Sequence, residues 1–291
     1  MIKLIVDSIC DLPEEIFEKY DVEVLPLRVL INDKEYLDRE NITIDEVYAE
    51  MRKGVLPRTS QVSPGNIYEI FDKNCEEGND FIYLAFSSVL SGTCNLAKKI
   101  AEEFKEKYPE RNIEVVDTKA GAIGIGVIAM QVLKLIESGV GFEKIIEDTY
   151  EMVGSIEHLF ILEDLNWLMK GGRINKVQAT LGTMLDLKPM LQVNNGYLEV
   201  IKKVRGKKKS INMLLDLVEE RMNGFTDQII GIGHADDEDI AKEVVKAIKE
   251  RFGEDAKCVI TKIGCVLGAH LGIGGVGVIF FNKKFDFYEQ W

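Results

Sequence analysis

Phe81–Thr93 reads FIYLAFSSVLSGT, and its two halves demand different surroundings. Phe81 to Phe86 is an apolar, aromatic-rich run of strand length, the pattern of a buried strand. It ends abruptly in hydroxyls at Ser87, Ser88, Ser91 and Thr93, with Gly92 between the last two. From Asn95 to Tyr108, Leu96, Ile100 and Phe104 recur at i, i+4 spacing, so a helix begins here. The stretch therefore predicts a strand, a hydroxyl-rich loop and a helix N-terminus. Free backbone N–H groups and the helix dipole both favour an anion at such a place. Capping by Ser91 or Thr93 would use one hydroxyl. Four are present, and the surplus points to a ligand.

The pattern repeats on either side. Lys3 to Val6 reads as a parallel strand buried on both faces and ends in Asp7-Ser8; Ile113 to Asp117 reads as a strand ending in Asp117-Thr118. In an open parallel sheet the carboxyl ends of the strands share one edge, and ligands bind there. Between these strands, Asp11-Leu12-Pro13-Glu14 starts a helix and Val22 to Ile31 reads as one strand. Thr43 and Glu46 form a capping box for a helix ending at Gly54. Arg58 to Val62 reads as a polar connector, with Ser63-Pro64 opening the next helix. Ala120 to Ser138 is apolar on nearly every face, with Gly121, Gly124 and Gly126 early. Such a helix is buried, and its small residues could leave room for an apolar ligand.

The second half differs. His158–Leu162 reads as a strand, Glu163–Met169 as a short helix and Lys170–Arg173 as a tight turn. Asn194-Asn195-Gly196 between two β-prone runs is a hairpin signal. Helices over 211–222 and 240–252 alternate with strands over 228–233, 257–263 and 276–281. The expectation is an α/β fold: a parallel-sheet α/β/α domain over 1–155 carrying a polar site, and a smaller α+β domain with a mixed sheet over 156–291.

Composition narrows the function classes. With 36 Lys+Arg against 49 Asp+Glu, the net charge of −13 argues against nucleic acid or an anionic membrane as main partner. Five cysteines outside any CxxC spacing argue against a disulfide scaffold or zinc site and fit a reducing, cytoplasmic setting. The MIKLIVDS start is too soon charged for a signal peptide, and the most apolar run is interrupted by Gln131 and Lys134. No HExxH, EF-hand or GxxxxGK[ST] motif is present, so no metal, nucleotide or other cofactor is expected.

His270 lies in GAHLGIGGVG, read as a glycine-rich turn between two strands, whereas His158 and His234 read as structural. Ser91, His270 and Asp117 could in principle form a hydrolase triad, although Ser91 is not in a G-x-S-x-G elbow. Lys202–Lys209 carries six basic residues in eight, either a solvated turn or a dock for phosphate or an acidic partner. Arg173, after a Gly-Gly turn, is a candidate for the same surface. Arg58 is the one cation beside the hydroxyl motifs.

Taken together, VDSICDL, RTSQVSP, FSSVLSGT, the VDT strand end, KGGRINK and GAHLG resemble the DegV family of bacterial fatty-acid-binding proteins, over Asp7 to His270. The resemblance implies a non-catalytic carrier holding a long-chain fatty acid, of the palmitate, stearate or oleate class, between its helices. It implies that Thr59 and Ser91 bind the carboxylate, that His270 sits near it, and that Ser60, Gly92 and Thr93 complete the donor set. It further implies that Arg173 and Arg205 face a separate ATP-dependent fatty acid kinase. One departure is visible: Ile273 stands in His270-Leu271-Gly272-Ile273-Gly274 where the family commonly has proline. An acyl hydrolase using Ser91 and His270 is the alternative.

Overall fold

The computed structural model describes residues 1–174 and 187–291. The last two residues of KGGRINK therefore lie outside the described part. The strands are β1 (Ile2–Asp7), β2 (Glu23–Leu25), β3 (Arg28–Ile31), β4 (Lys34–Leu37), β5 (Arg58–Ser60), β6 (Asp80–Ala85), β7 (Ile113–Asp117), β8 (Ile156–Ile161), β9 (Leu187–Asn194), β10 (Tyr197–Arg205), β11 (Ile229–His234), β12 (Lys257–Lys262) and β13 (Val276–Phe281).

The first sheet runs β2-β1-β6-β7 with every pair parallel. Its central strands are the two apolar runs read from the sequence, and Ile5, Val6, Tyr83 and Leu84 are all fully buried. The second sheet runs β10-β9-β8-β13-β11-β12, antiparallel except for β11 with β12. The chain thus has an α/β fold with an N-terminal parallel sheet and a second, mixed sheet. The helix Ile123–Glu137 packs against β1 and β6 on one side and β11 and β13 on the other. Twelve of its fifteen residues are buried, which is why its sequence shows no polar face. Gly231 in β11 permits the close approach, since a Cβ there would lie 2.8 Å from Ile123.

Three local readings are corrected. Val22–Ile31 is not one strand. Pro26 lacks an N–H and cannot continue a ladder. The chain leaves the first sheet there, Leu27 N–H donates to Ser8 Oγ at 3.1 Å, and β3 joins a small antiparallel sheet of order β4-β3-β5. Arg58–Ser60 is not a loose connector but β5, with Thr59 paired to Val29. Main-chain pairing on the edge of β3 requires no apolar pattern, so composition did not reveal it. His270 does not lie in a turn; it is in the last turn of a helix, Cys265–Leu271, closed by Gly272 at φ +83°. The basic stretch also runs further into regular structure than expected: the helix begins at Lys207 rather than Ile211.

The hairpin reading holds. Asn195 and Gly196 both have positive φ (48° and 85°), the turn that matches strand twist. Its tip touches the hydroxyl loop, where Ser87 Oγ donates to Gly196 O at 3.3 Å. None of the helices among the described residues is long and apolar enough to cross a membrane.

Candidate functional site

The carboxyl edge of the parallel sheet meets the second sheet across a cavity of about 510 Å³. This is within the usual range for a small-molecule site. Its polar end is lined by Thr59, Ser60, Gln61, Ser91, Gly92, Arg173 and His270. Its apolar walls come from Phe86 and Gly121 on one side and from Phe160, Leu162 and Leu198 of the second sheet on the other. Gly121 keeps this passage open, since a Cβ there would lie 2.8 Å from Phe86 and 3.1 Å from Leu267.

The polar end is assembled from three separate elements. β5 presents Thr59, whose Oγ1 lies 2.7 Å from His270 Nε2. The hydroxyl loop presents Ser91, whose Oγ accepts from Thr93 N–H at 3.3 Å and lies 3.0 Å from Thr93 Oγ1. Thr93 Oγ1 in turn accepts from Val62 N–H, tying the loop to the chain after β5. A side chain at Gly92 would run into Gln61, so the glycine allows the TSQ segment to close on the loop. The helix Thr93–Lys107 starts here with Gly92 as its N-cap and no side-chain cap on that residue. Ser91 instead caps from one position earlier and keeps its hydroxyl at the cavity.

His270 is positioned from the N-terminal half of the chain. Asp11 Oδ1 and Oδ2 accept from Gly264 N–H, 3.2 and 3.3 Å away, at the start of the His270 helix. Tyr48 donates to Ile263 O at 3.1 Å, and its ring fills the space a Cβ on Gly268 would take. Burial, helped by the positive charge of Arg173, pushes the His270 imidazole down to about 4, so it is neutral at pH 7. Its Nδ1 has no partner among the described residues.

That unpaired nitrogen bears on the hydrolase reading. In a Ser-His-Asp triad a carboxylate holds the second imidazole nitrogen. Here Asp117 is engaged elsewhere: it accepts from Ser88 N–H at 3.1 Å, Ser88 Oγ at 2.6 Å and Lys119 N–H at 3.2 Å. Ser91 is bonded to Thr93 and His270 to Thr59, so the three residues are not assembled as a triad. Among the described residues, no group of three or more His, Cys, Asp or Glu could hold a metal ion.

All six proposed ligand residues lie at this end: Thr59, Ser60, Ser91, Gly92 and His270 line the cavity, and Thr93 stands behind Ser91. Arg173, which the resemblance sets facing a partner, has a place at the cavity as well. It lines the cavity, and Nη1 donates to Gly171 O at 2.6 Å, so a guanidinium stands at the polar end. Arg58, the cation singled out by sequence proximity, is exposed on β5. Arg205 is exposed at the end of β10. Gln61 was legible only as part of the TSQ motif. His158 was read as structural, yet it also lines the cavity.

Beneath the site lie the buried carboxyl groups of Asp7, Asp11 and Asp38. Asp7 holds the loop in place, accepting from Phe86 N–H at 2.7 Å and Ile9 N–H at 3.3 Å. Desolvation raises its carboxyl group from the ordinary range to about 7. Between about pH 4 and 7 the folded chain therefore binds more protons here than the unfolded chain, so this contribution to stability falls as pH rises. The difference in unfolding free energy between wild type and Asp7→Asn should decline across that window, by at most about 1.4 kcal/mol per pH unit. Urea titrations at stepped pH measure it. A difference that is flat or rising from pH 4 to 7 would show that the Asp7 carboxyl group is not raised in the folded chain.

Comparison with known proteins agrees with this architecture. A family model described as "Uncharacterised protein, DegV family" matches residues 1–283. A DegV domain-containing protein of Clostridium perfringens is 35% identical over 279 residues, 95% of this chain and 96% of its own length. Among solved structures, a DegV family protein from Thermus thermophilus, described for its fatty acid binding, aligns with TM-score 0.86 at 31% identity, covering 96% of this chain and 99% of that one. A stearic acid-binding protein from Eubacterium ventriosum aligns with TM-score 0.88 at 28% identity, covering 96% and 97% of the two chains.

Proposed function

This chain belongs to the DegV family, and from that premise we propose that it binds one long-chain fatty acid and presents the carboxyl group to an ATP-dependent fatty acid kinase. The observation that carries the reading is the division of one cavity into two chemistries. Hydroxyls, an imidazole and a guanidinium gather at one end, and the rest is mostly apolar, with Ser88, Lys119 and His158 as its other polar lining residues. A carboxylate cannot leave water without such donors, and an acyl chain gains by leaving it. About fifteen methylenes at ~0.8 kcal/mol each offer on the order of 10 kcal/mol before ordering costs.

In this reading Thr59 and Ser91 donate to the carboxylate. His270 orients Thr59 and, being neutral, donates from one ring nitrogen only. Arg173 supplies the compensating charge. The kinase would transfer the γ-phosphoryl group of ATP to a carboxylate oxygen, releasing ADP and leaving an acyl phosphate on the carrier. The carrier contributes no catalytic group and works in the cytoplasm.

The basic stretch supports an acidic partner. Lys207, Lys208 and Lys209 occupy the first turn of the helix Lys207–Met222, which carries no acidic residue there. Lys207 is paired with Glu243 at 3.1 Å, but cations at a helix N-terminus oppose the dipole, so helix stability does not favour Lys208 and Lys209 there.

Native mass spectrometry followed by organic extraction tests the binding. The expected result is a stoichiometric added mass that extracts as a C16 or C18 fatty acid. A clean apo mass in a protein that also fails to take up added palmitate or stearate would reject it.

A further inference from the structure

We propose that His158 makes the inner part of the cavity a recognition site for a hydroxyl group on the acyl chain, so that the ligand class extends to hydroxylated long-chain fatty acids. The inference rests on the fatty-acid reading above and adds a polar subsite remote from the carboxyl group.

His158, Phe160 and Leu162 face the cavity at period-two spacing along β8 and the residue after it. Leu162 lies toward the polar end, where its neighbour across the chain is Gly275. His158 is four residues earlier, about 13 Å along the strand. It pairs in register with Ile279 of β13, and Gly277 and Ile279 line the same cavity.

The ring is 6% exposed, and neither Nδ1 nor Nε2 has a hydrogen-bond partner among the described residues. A buried polar group left unpaired costs about 1–3 kcal/mol, so such a group needs a reason. The fold also makes room for it: a side chain on Gly124 of the central helix would run into the imidazole. An apolar residue at 158 would line the inner cavity without this cost.

Desolvation holds the imidazole at about 4, hence neutral at pH 7, with one nitrogen protonated and the other bare. A hydroxyl group matches either nitrogen, donating to the bare one or accepting from the other. A second carboxylate does not fit, because burial alone perturbs His158 and no charged neighbour is felt there; the two cations that line the cavity lie elsewhere, Arg173 beside His270 and Lys119 exposed in the loop after β7. A saturated chain leaves both nitrogens facing methylenes.

The test is a titration of the delipidated full-length protein with stearate and with hydroxystearates whose hydroxyl is stepped along the distal half of the chain. Wild type, His158→Leu and His158→Gln are compared. In wild type, one narrow range of hydroxyl positions is expected to bind at least as tightly as stearate. In His158→Leu the same isomers should bind at least about tenfold more weakly than stearate, while His158→Gln retains the preference. A positional profile in which every hydroxystearate is weaker than stearate by the same factor overturns the inference, and wild type alone suffices for that result. If wild type takes up neither stearate nor any hydroxystearate, the fatty-acid reading itself fails and this inference falls with it. The stearate control separates the two failures.

Discussion

A chain carrying both Thr59→Ala and Ser91→Ala is expected to emerge from purification without its fatty acid. Each hydroxyl would donate to a charged carboxylate in a site largely screened from water. Such bonds contribute about 1.5–3 kcal/mol apiece, so removing two should weaken retention roughly 10²- to 10⁴-fold. The backbone cost is small. Thr59 lies on a short strand held by main-chain pairing to Val29, and among the described residues the Ser91 hydroxyl bonds only to its near neighbour Thr93. One secondary effect is predicted: losing Thr59 Oγ1 leaves His270 without its Nε2 partner, so the empty variant should also melt at a lower temperature than empty wild type. Lipid content by mass spectrometry, with titration of added palmitate, measures the main effect. Lipid content equal to wild type in the double variant would remove Thr59 and Ser91 from the binding site.

Charge reversal at Arg173 and at Arg205 is expected to separate ligand binding from kinase coupling. Arg173 lines the cavity, and its charge is felt at His270. Glutamate there would set a second negative charge beside the bound carboxylate, where like charges in a poorly solvated site repel strongly. Arg173→Glu should therefore lose fatty acid by at least about a hundredfold, and acyl phosphate formation with it. Arg205 is exposed at the end of β10, away from the cavity lining. Arg205→Glu should keep its fatty acid and lose acyl phosphate formation about tenfold at limiting kinase, an effect that shrinks as salt rises. Lipid content and acyl phosphate yield, read on the same preparations, give the two quantities. Wild-type coupling in Arg205→Glu would take the kinase away from this face, and full lipid content in Arg173→Glu would take Arg173 out of the head-group site.

The elements themselves were largely legible, because each depends on a local pattern. The runs Lys3–Val6 and Phe81–Phe86 are apolar without alternation, since the strands are covered on both faces. The helix Ile123–Glu137 has no polar face because a sheet lies on each side of it. Asn195-Gly196 specifies its turn by backbone preference alone. Local chemistry also gave Thr43 with Glu46 as a capping box, seen as the reciprocal bonds Glu46 N–H to Thr43 Oγ1 and Thr43 N–H to Glu46 Oε2. The misread segments were those whose conformation is set by a distant neighbour. Arg58–Ser60 is a strand only because β3 offers it an edge. Cys265–Leu271 is a helix in a glycine-rich sequence because Asp11 binds the N–H of its N-cap, Gly264, and Tyr48 packs on Gly268.

The sequence by itself determined the parallel strands, their polar carboxyl ends, the buried central helix and, through its motifs, the residues gathered at the polar end of the cavity. Only the tertiary structure decided which cation stands beside His270. Arg58 is next to Thr59 in the chain but points to solvent, while Arg173, more than a hundred residues away, reaches the cavity. The same holds for His158, whose sequence context is an ordinary strand and whose two nitrogens, unpaired among the described residues, are buried only once β8 is laid against the central helix. Periodicity and capping act over a few residues and are written in the chain. Burial, pairing and charge at a cavity are sums over neighbours that the fold brings together, and those sums have no local signature.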